Sequence, residues 1–338
     1  MCLRTSALRR DDPAAPESLA DNDNLGRETD PAARATAIAD RFRSLSISLL
    51  AATCLTAAGL AFALKVRVDP KGTAVVLWAI AAMLLVSRMW WDRIGKHALA
   101  DAAGTIGVVS LGAMSGGAIA MLGLRFGFPT ADEMLLQADL ALGIDGLQVA
   151  TMVAGKRDLL LPILAPIYNF AVELCFASLV ILSLMNDRVE AWRGALIFVG
   201  TLLTTCSVAA FIPATGLINW ATPDVLAYLP SAFMSHFNEF YRGPDPVLRL
   251  QVIDGIVSFP SFHAIVGFLV LSMWRKRLAT LIPAAIWLAV ELLSTVAAGH
   301  YVVDLLGGLL VWAGWFALTC WIERRVELKG QGGERAFP

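Results

Sequence analysis

The chain has 338 residues, 57% of them apolar, 16% charged and 9% aromatic, with a formal net charge of -1 and a mean hydropathy of +0.65. Soluble domains carry about a quarter charged residues, so a soluble enzyme, a disordered protein and a basic nucleic-acid binder are all excluded, and no nucleic-acid partner is expected. Five scattered cysteines, Cys2, Cys54, Cys175, Cys206 and Cys320, form no CxxC pair and read as small buried side chains, not as a disulfide frame or a zinc site.

Residues 1–43 hold 15 of the charged residues. With Pro13, Pro16 and Pro31 and little apolar content, this stretch predicts a disordered, solvent-facing tail. The first apolar run begins only near Ser44, too far along the chain for a cleavable signal peptide. From there eight apolar segments follow, over 44–64, 73–87, 102–124, 159–185, 194–212, 260–274, 278–299 and 301–322. A bilayer core of about 30 Å takes about 20 apolar residues in a helix, and no repeated ten-residue alternation suggests a barrel. The expectation is an all-α, polytopic membrane bundle of about eight transmembrane helices. Two of these helices lie within 44–99 and six within 100–322, and 323–338 form a second tail.

Basic residues set the expected orientation. Loops 88–101, 186–193 and 275–277 carry eight Lys or Arg in 25 residues, whereas the connections on the other side carry eight in over 90. That asymmetry places both termini in the cytoplasm. Trp90, Trp91, Trp192, Trp274 and Trp321 fall at the same ends, as interfacial aromatics do. Two long loops face outward. The first, 125–158, contains an amphipathic stretch from Ala131 to Gly143 suited to the interface. The second, 213–259, leads into the sixth segment, and loops of this length are usually functional.

Two of the four histidines sit at informative places. His263 opens the sixth segment, and His300 lies where the seventh turns into the eighth. The sixth and seventh segments form a hairpin through Arg275, Lys276 and Arg277, so both histidines emerge on one membrane face, the outer one. His300 and Asp304 are four residues apart, on one helical face. A carboxylate there fixes the imidazole tautomer and makes the other ring nitrogen a better nucleophile. Ser261 and the first amides after Pro260 make an anion site at a helix N-terminus, and His263 is placed to protonate a leaving alkoxide. These parts suit phosphoryl transfer through a phosphohistidine, without a metal or other cofactor. Other readings remain open. The pair could be a structural ion pair, the two histidines could be axial ligands of a b-type haem, or Glu173, Glu291 and Asp304 could line a transport path. Glu173 and Glu291 are read as structural acids, and His97 and His236 as surface residues.

Pro260-Ser-Phe-His263 resembles the Pro-Ser-Gly-His motif of the type-2 phosphatidic acid phosphatase superfamily, and Gly299-His-Tyr-Val-Val-Asp304 resembles its terminal His-x3-Asp motif. The Phe in place of Gly and the His-Tyr-x-x-Asp form are more similar to the inositol phosphorylceramide synthase (inositolphosphotransferase) branch and its bacterial relatives. The resemblance spans roughly residues 100–322. It implies His300 as nucleophile, Asp304 as its partner, His263 as acid and Ser261 as a phosphate ligand. It further implies a membrane lipid substrate, with a lipid alcohol or water as acceptor, in a bacterial inner membrane with the site facing the periplasm. The sequence departs from the phosphatase branch at Ser294, where that branch has Arg, and it lacks the leading Lys-x6-Arg-Pro motif. Arg249 and Arg242 keep the spacing of that motif and are the expected phosphate-binding cations, with Lys156 and Arg157 as substitutes. Transfer is favoured over hydrolysis on the motif forms. The lipid, the acceptor and the oligomeric state are not readable.

Overall fold

The computed structural model describes residues 31–90, 97–250 and 258–332. Long apolar helices α1 (Pro31–Ala63), α2 (Pro70–Met89) and α3 (His97–Gly123) open the chain. Two short helices, α4 (Asp132–Ala141) and α5 (Gly146–Gly155), precede α6 (Arg157–Asn169), α7 (Ala171–Leu184) and the long α8 (Arg188–Phe211). The second loop carries α9 (Pro223–Leu226) and α10 (Phe233–Arg242), and the chain ends with α11 (Phe262–Trp274), α12 (Leu278–Ala297) and α13 (Val302–Gly332). A short parallel pairing of β1 (Arg67–Val68) with β2 (Val247–Leu248) ties the α1–α2 turn to the segment ahead of α11.

The all-α membrane architecture is the expected one, but the spans number fewer than eight. Among the described residues six helices are long and apolar enough to cross a membrane: α1, α2, α3, α8, α12 and α13. The pair α6 and α7, bent by 49°, makes a seventh. Pro162 and Pro166 lie inside α6, and each removes a backbone donor and crowds the preceding turn. The remaining segment, 260–274, folds as the 13-residue α11. At 1.5 Å per residue it covers only about 20 Å, short of a bilayer core. It packs instead within the bundle, against α7, α8, α12 and α13.

The first boundary is also corrected. Helix α1 begins at Pro31, so residues 31–43 are helical, and Ile38, Ala39 and Phe42 are buried. Ile38, Phe42, Ser46 and Leu50 recur every four residues, a face that the surrounding charge conceals. Residues 1–30 lie outside the described residues. At the other end α13 runs on to Gly332 rather than stopping at 322. The main core joins α1, α3, α7, α8 and α11 through Phe42, Val109, Leu179, Phe198 and Leu269. Gly112 and Gly116 let α3 close on Val199 and Leu202 of α8, which is the packing use of small residues in membrane helices.

At the end of α11 away from His263, charged residues are spent on one another. Glu190 is 1% exposed and is met by Arg193, Arg275 and Lys276. Arg193 also reaches Glu323, and Arg277 pairs with Asp187 at 2.7 Å. Trp192 is a core residue, not an interfacial one: it is 1% exposed and its Nε1 donates to Asp101 at 2.7 Å. Trp91 falls outside the described residues.

Candidate functional site

The turn between α12 and α13 sets the site. Gly299 has φ of +105° and Gly216 has φ of +78°, a left-handed region that costs other residues about 1–2 kcal/mol. The two touch: Leu217 N donates to Gly299 O at 2.7 Å, and a Cβ on Gly216 would lie 2.4 Å from that oxygen. The loop after α8 is thereby held against the residue preceding His300.

His300 Nδ1 lies 3.3 Å from Asp304 Oδ2, one helical turn away. Asp304 is fully buried, and the same Oδ2 accepts from Ser258 Oγ at 2.7 Å and from Tyr301 N at 3.0 Å. Its Oδ1 is buried with no hydrogen-bond partner. The donors Ser258 Oγ and Tyr301 N hold the carboxylate in place beside His300 Nδ1, so that Nε2 is the ring nitrogen not facing Asp304. The structure brings the second histidine beside it. The His263 and His300 rings have centroids 6.2 Å apart at 61°, and the Tyr168 ring stacks on His263 at 3.9 Å and 13°. Tyr168 reaches this position because the α6–α7 helix breaks at Asn169 and Phe170.

Both histidines open into a cavity of about 460 Å3. Its lining includes the polar Ser258, Tyr168, Asn169, Thr205 and Thr215 together with Ala113 and Gly117 of α3, Val172 of α7, and Phe198 and Leu202 of α8. An apolar pocket with a few convergent polar groups is the general form of a ligand site.

The expected phosphate ligands are placed elsewhere. Ser261 has no exposed surface and is the N-cap of α11, its Oγ accepting from Ala264 N at 3.3 Å. The serine that faces the cavity is Ser258, three residues earlier. Arg249 lies 3.5 Å from Glu239 and is 41% exposed, and the guanidinium of Arg242 sits 5.6 Å from the Tyr241 ring centre. Lys156 and Arg157 are exposed at the α5–α6 junction. None of the four lines the cavity, whose described lining contains no Lys or Arg. The undescribed stretch 251–257 contains neither residue type. Glu291 is buried on α12 with Ser294 and Thr295 donating to it, at 3.3 and 3.5 Å, and Glu173 is exposed at the start of α7. Neither acid lines the cavity.

The sequence reading missed the clamp that α4 provides. Asp132, Leu135 and Asp139 form its buried face. Asp139 caps α13, its two oxygens accepting from Val302 N and Val303 N at 2.8 Å each. Asp132 accepts from Thr215 N and Gly216 N at 2.9 and 3.0 Å, from Thr215 Oγ1 and Asn219 Nδ2, and from the Tyr301 hydroxyl at 3.3 Å. Burial pushes both carboxyls above the ordinary Asp range, and the donors oppose that shift. One amphipathic turn thus holds the two strands of chain that flank His300.

Asp132→Ala is expected to destabilise the fold by at least about 1–3 kcal/mol, because several buried donors lose their acceptor. Asp132→Asn, which keeps an accepting oxygen, is expected to recover part of that. Thermal unfolding in detergent reads both, and an alanine variant as stable as the parent would remove the clamp from the account.

Long apolar helices, a bent helix pair and an imidazole pair at a partly open, mostly apolar pocket define a polytopic membrane protein with a candidate site between its helices. Residues 133–318, more than half of the chain, match the PAP2 superfamily, and the chain belongs to that superfamily. Its activity therefore falls in the lipid phosphatase and phosphotransferase class. No curated protein and no solved structure matches it.

Proposed function

We propose that this protein is a lipid phosphotransferase that moves a phosphoryl-linked head group from a phospholipid to a lipid alcohol, through a phosphohistidine at His300. The observation that carries this reading is the paired imidazoles in a cavity whose described lining holds no Lys or Arg. A nucleophile approaches its target to about 3–3.5 Å, and a general acid stands about 2.6–3.2 Å from the proton's destination. A 6.2 Å ring separation admits one phosphoryl group between the two histidines.

In the first step His300 Nε2 forms a bond to phosphorus as the bond to the leaving lipid oxygen breaks, and His263 gives that oxygen a proton. Asp304 takes up the charge that develops on the His300 ring. In the second step the acceptor hydroxyl gives its proton to His263 and attacks phosphorus, and the N–P bond breaks. The first-turn amides of α11, among them those of Phe262 and His263, point their dipole at the anion. A phosphodiester carries one negative charge, which one proton taken up on His263 together with the substrate balances. A monoester dianion would leave a second charge uncompensated beside an apolar wall. That difference favours a diester donor, and the synthase-like motif forms favour transfer.

The basic-residue asymmetry supports a site facing the periplasm of a bacterial inner membrane, with both termini cytoplasmic once the short α11, which runs from the His263 end of the bundle to the Glu190 end, is counted as a further crossing. The orientation rule counts Lys and Arg and gives little weight to acids, so the ion pairs around Glu190 leave it intact. Purified protein supplied with a head-group-phosphate-labelled phospholipid tests the reading. Label should move to a new lipid only when a lipid alcohol is added. Water-soluble head-group phosphate released at the same rate with and without that alcohol would make the protein a hydrolase instead, and free phosphate released from labelled phosphatidic acid would make it a lipid phosphate phosphatase.

A further inference from the structure

Hydroxyl side chains on apolar helices ordinarily bond back to the carbonyl four residues earlier. On α8 Thr201 does so to Ile197 O at 2.7 Å and Thr204 to Gly200 O at 2.9 Å. Thr205, the next residue, does not. It has no exposed surface, its Oγ1 has no hydrogen-bond partner among the described residues, and it lines the cavity that contains the two histidines. A buried hydroxyl without a partner is costly, because it has given up water and received nothing. Leu202 and Phe198 of α8 and Ala113 and Gly117 of α3, which line the same cavity, carry no side-chain acceptor.

We infer that the Thr205 hydroxyl is a substrate-binding group that hydrogen-bonds the polar linkage of a lipid, an ester or amide carbonyl lying between head group and chains. This rests on the lipid-phosphotransferase reading and narrows it. The phosphoryl group occupies the histidine end, and the small-residue wall of α3 takes the start of a chain. Thr205 selects lipids that carry an acceptor within their apolar body. A polyprenyl phosphate, hydrocarbon up to its phosphate, has no such acceptor and gains nothing there. Glycerolipid esters and sphingolipid amides share the chemistry.

The test uses full-length protein carrying His300→Ala, so that bound lipid is not turned over, in nanodiscs with three labelled probes. These are a diacylglycerol phospholipid, a ceramide-based phosphodiester lipid and a polyprenyl phosphate. Adding Thr205→Val, which keeps shape and removes only the hydroxyl, should weaken binding of the ester lipid, the amide lipid or both by roughly 3- to 10-fold, the range of one hydrogen bond. Polyprenyl phosphate affinity should not change, and Thr205→Ser should restore the loss. The carbonyl lipid that loses affinity identifies the source. Unchanged binding of all three, equal loss for all three, or no binding of either carbonyl lipid by the His300→Ala protein would overturn the inference. Turnover by the wild-type protein, measured separately with and without acceptor, reports on the transferase reading alone. Thr205 can thus fail while transfer stands, and the reverse.

Discussion

His300→Ala is expected to lower turnover by roughly 10⁴-fold or more, the scale on which losing a nucleophile costs enzymes of this kind, while the protein still inserts and binds lipid. The reason is local. His300 Nε2 is the ring nitrogen left free by the Asp304 contact at 3.3 Å, and in the proposed mechanism no other side chain of the cavity substitutes for it. Asp304→Asn is the more informative partner experiment. Its carboxamide oxygen can still accept from Ser258 and Tyr301, which donate to the native carboxylate at 2.7 and 3.0 Å, so the turn should fold. The orienting charge is gone, however, and a loss of roughly 10²–10⁴-fold in kcat is expected. Rates measured at equal membrane content check both. Either variant turning over at a near-native rate would return the pair to a structural role.

His263→Gln is expected to cost roughly 10²–10⁴-fold with a lipid leaving group, the usual contribution of a positioned general acid. An alkoxide is a poor leaving group and needs its proton. A nitrophenyl ester of the same phosphodiester leaves without one, so its rate should fall far less. The ratio of the two losses is the diagnostic quantity, because a variant that merely disturbed the stack with Tyr168, at 3.9 Å in the native site, would slow both substrates alike. Equal losses would assign His263 to positioning and not to proton transfer.

Much of this was legible in the residues. Apolar runs without charge dictate spanning helices, and two histidines separated by a hairpin dictate a shared face, so the pairing of His263 with His300 needed only the connectivity. What could not be read depends on which local bond wins. Ser261 and Ser258 are both near the motif, but the residue just before the helix is consumed as its cap, and only Ser258 faces the cavity. Arg242 and Arg249 have the right spacing for phosphate, yet Arg249 lies beside Glu239 and Arg242 beside Tyr241. Spacing along a loop does not fix direction. Asp132 and Asp139 were visible as the polar side of an amphipathic stretch; that their side is the buried one follows from α4 lying on the Gly216 and Val302 backbone. Helix α11 read as a span only with its edges extended into Ser258 and Phe259, and Ser261 capping it starts the helix at Phe262 instead. The charged approach to α1 hid a four-residue apolar repeat for a similar reason: average composition outweighs a narrow face.

The account turns on a covalent bond at one nitrogen. Wild-type protein mixed with a phosphate-labelled donor lipid and quenched within a turnover should carry acid-labile, base-stable label on His300, identified by peptide mapping, and His300→Ala should carry none. Continuous turnover with no label on His300, or label accumulating equally in the alanine variant, would contradict a phosphohistidine route.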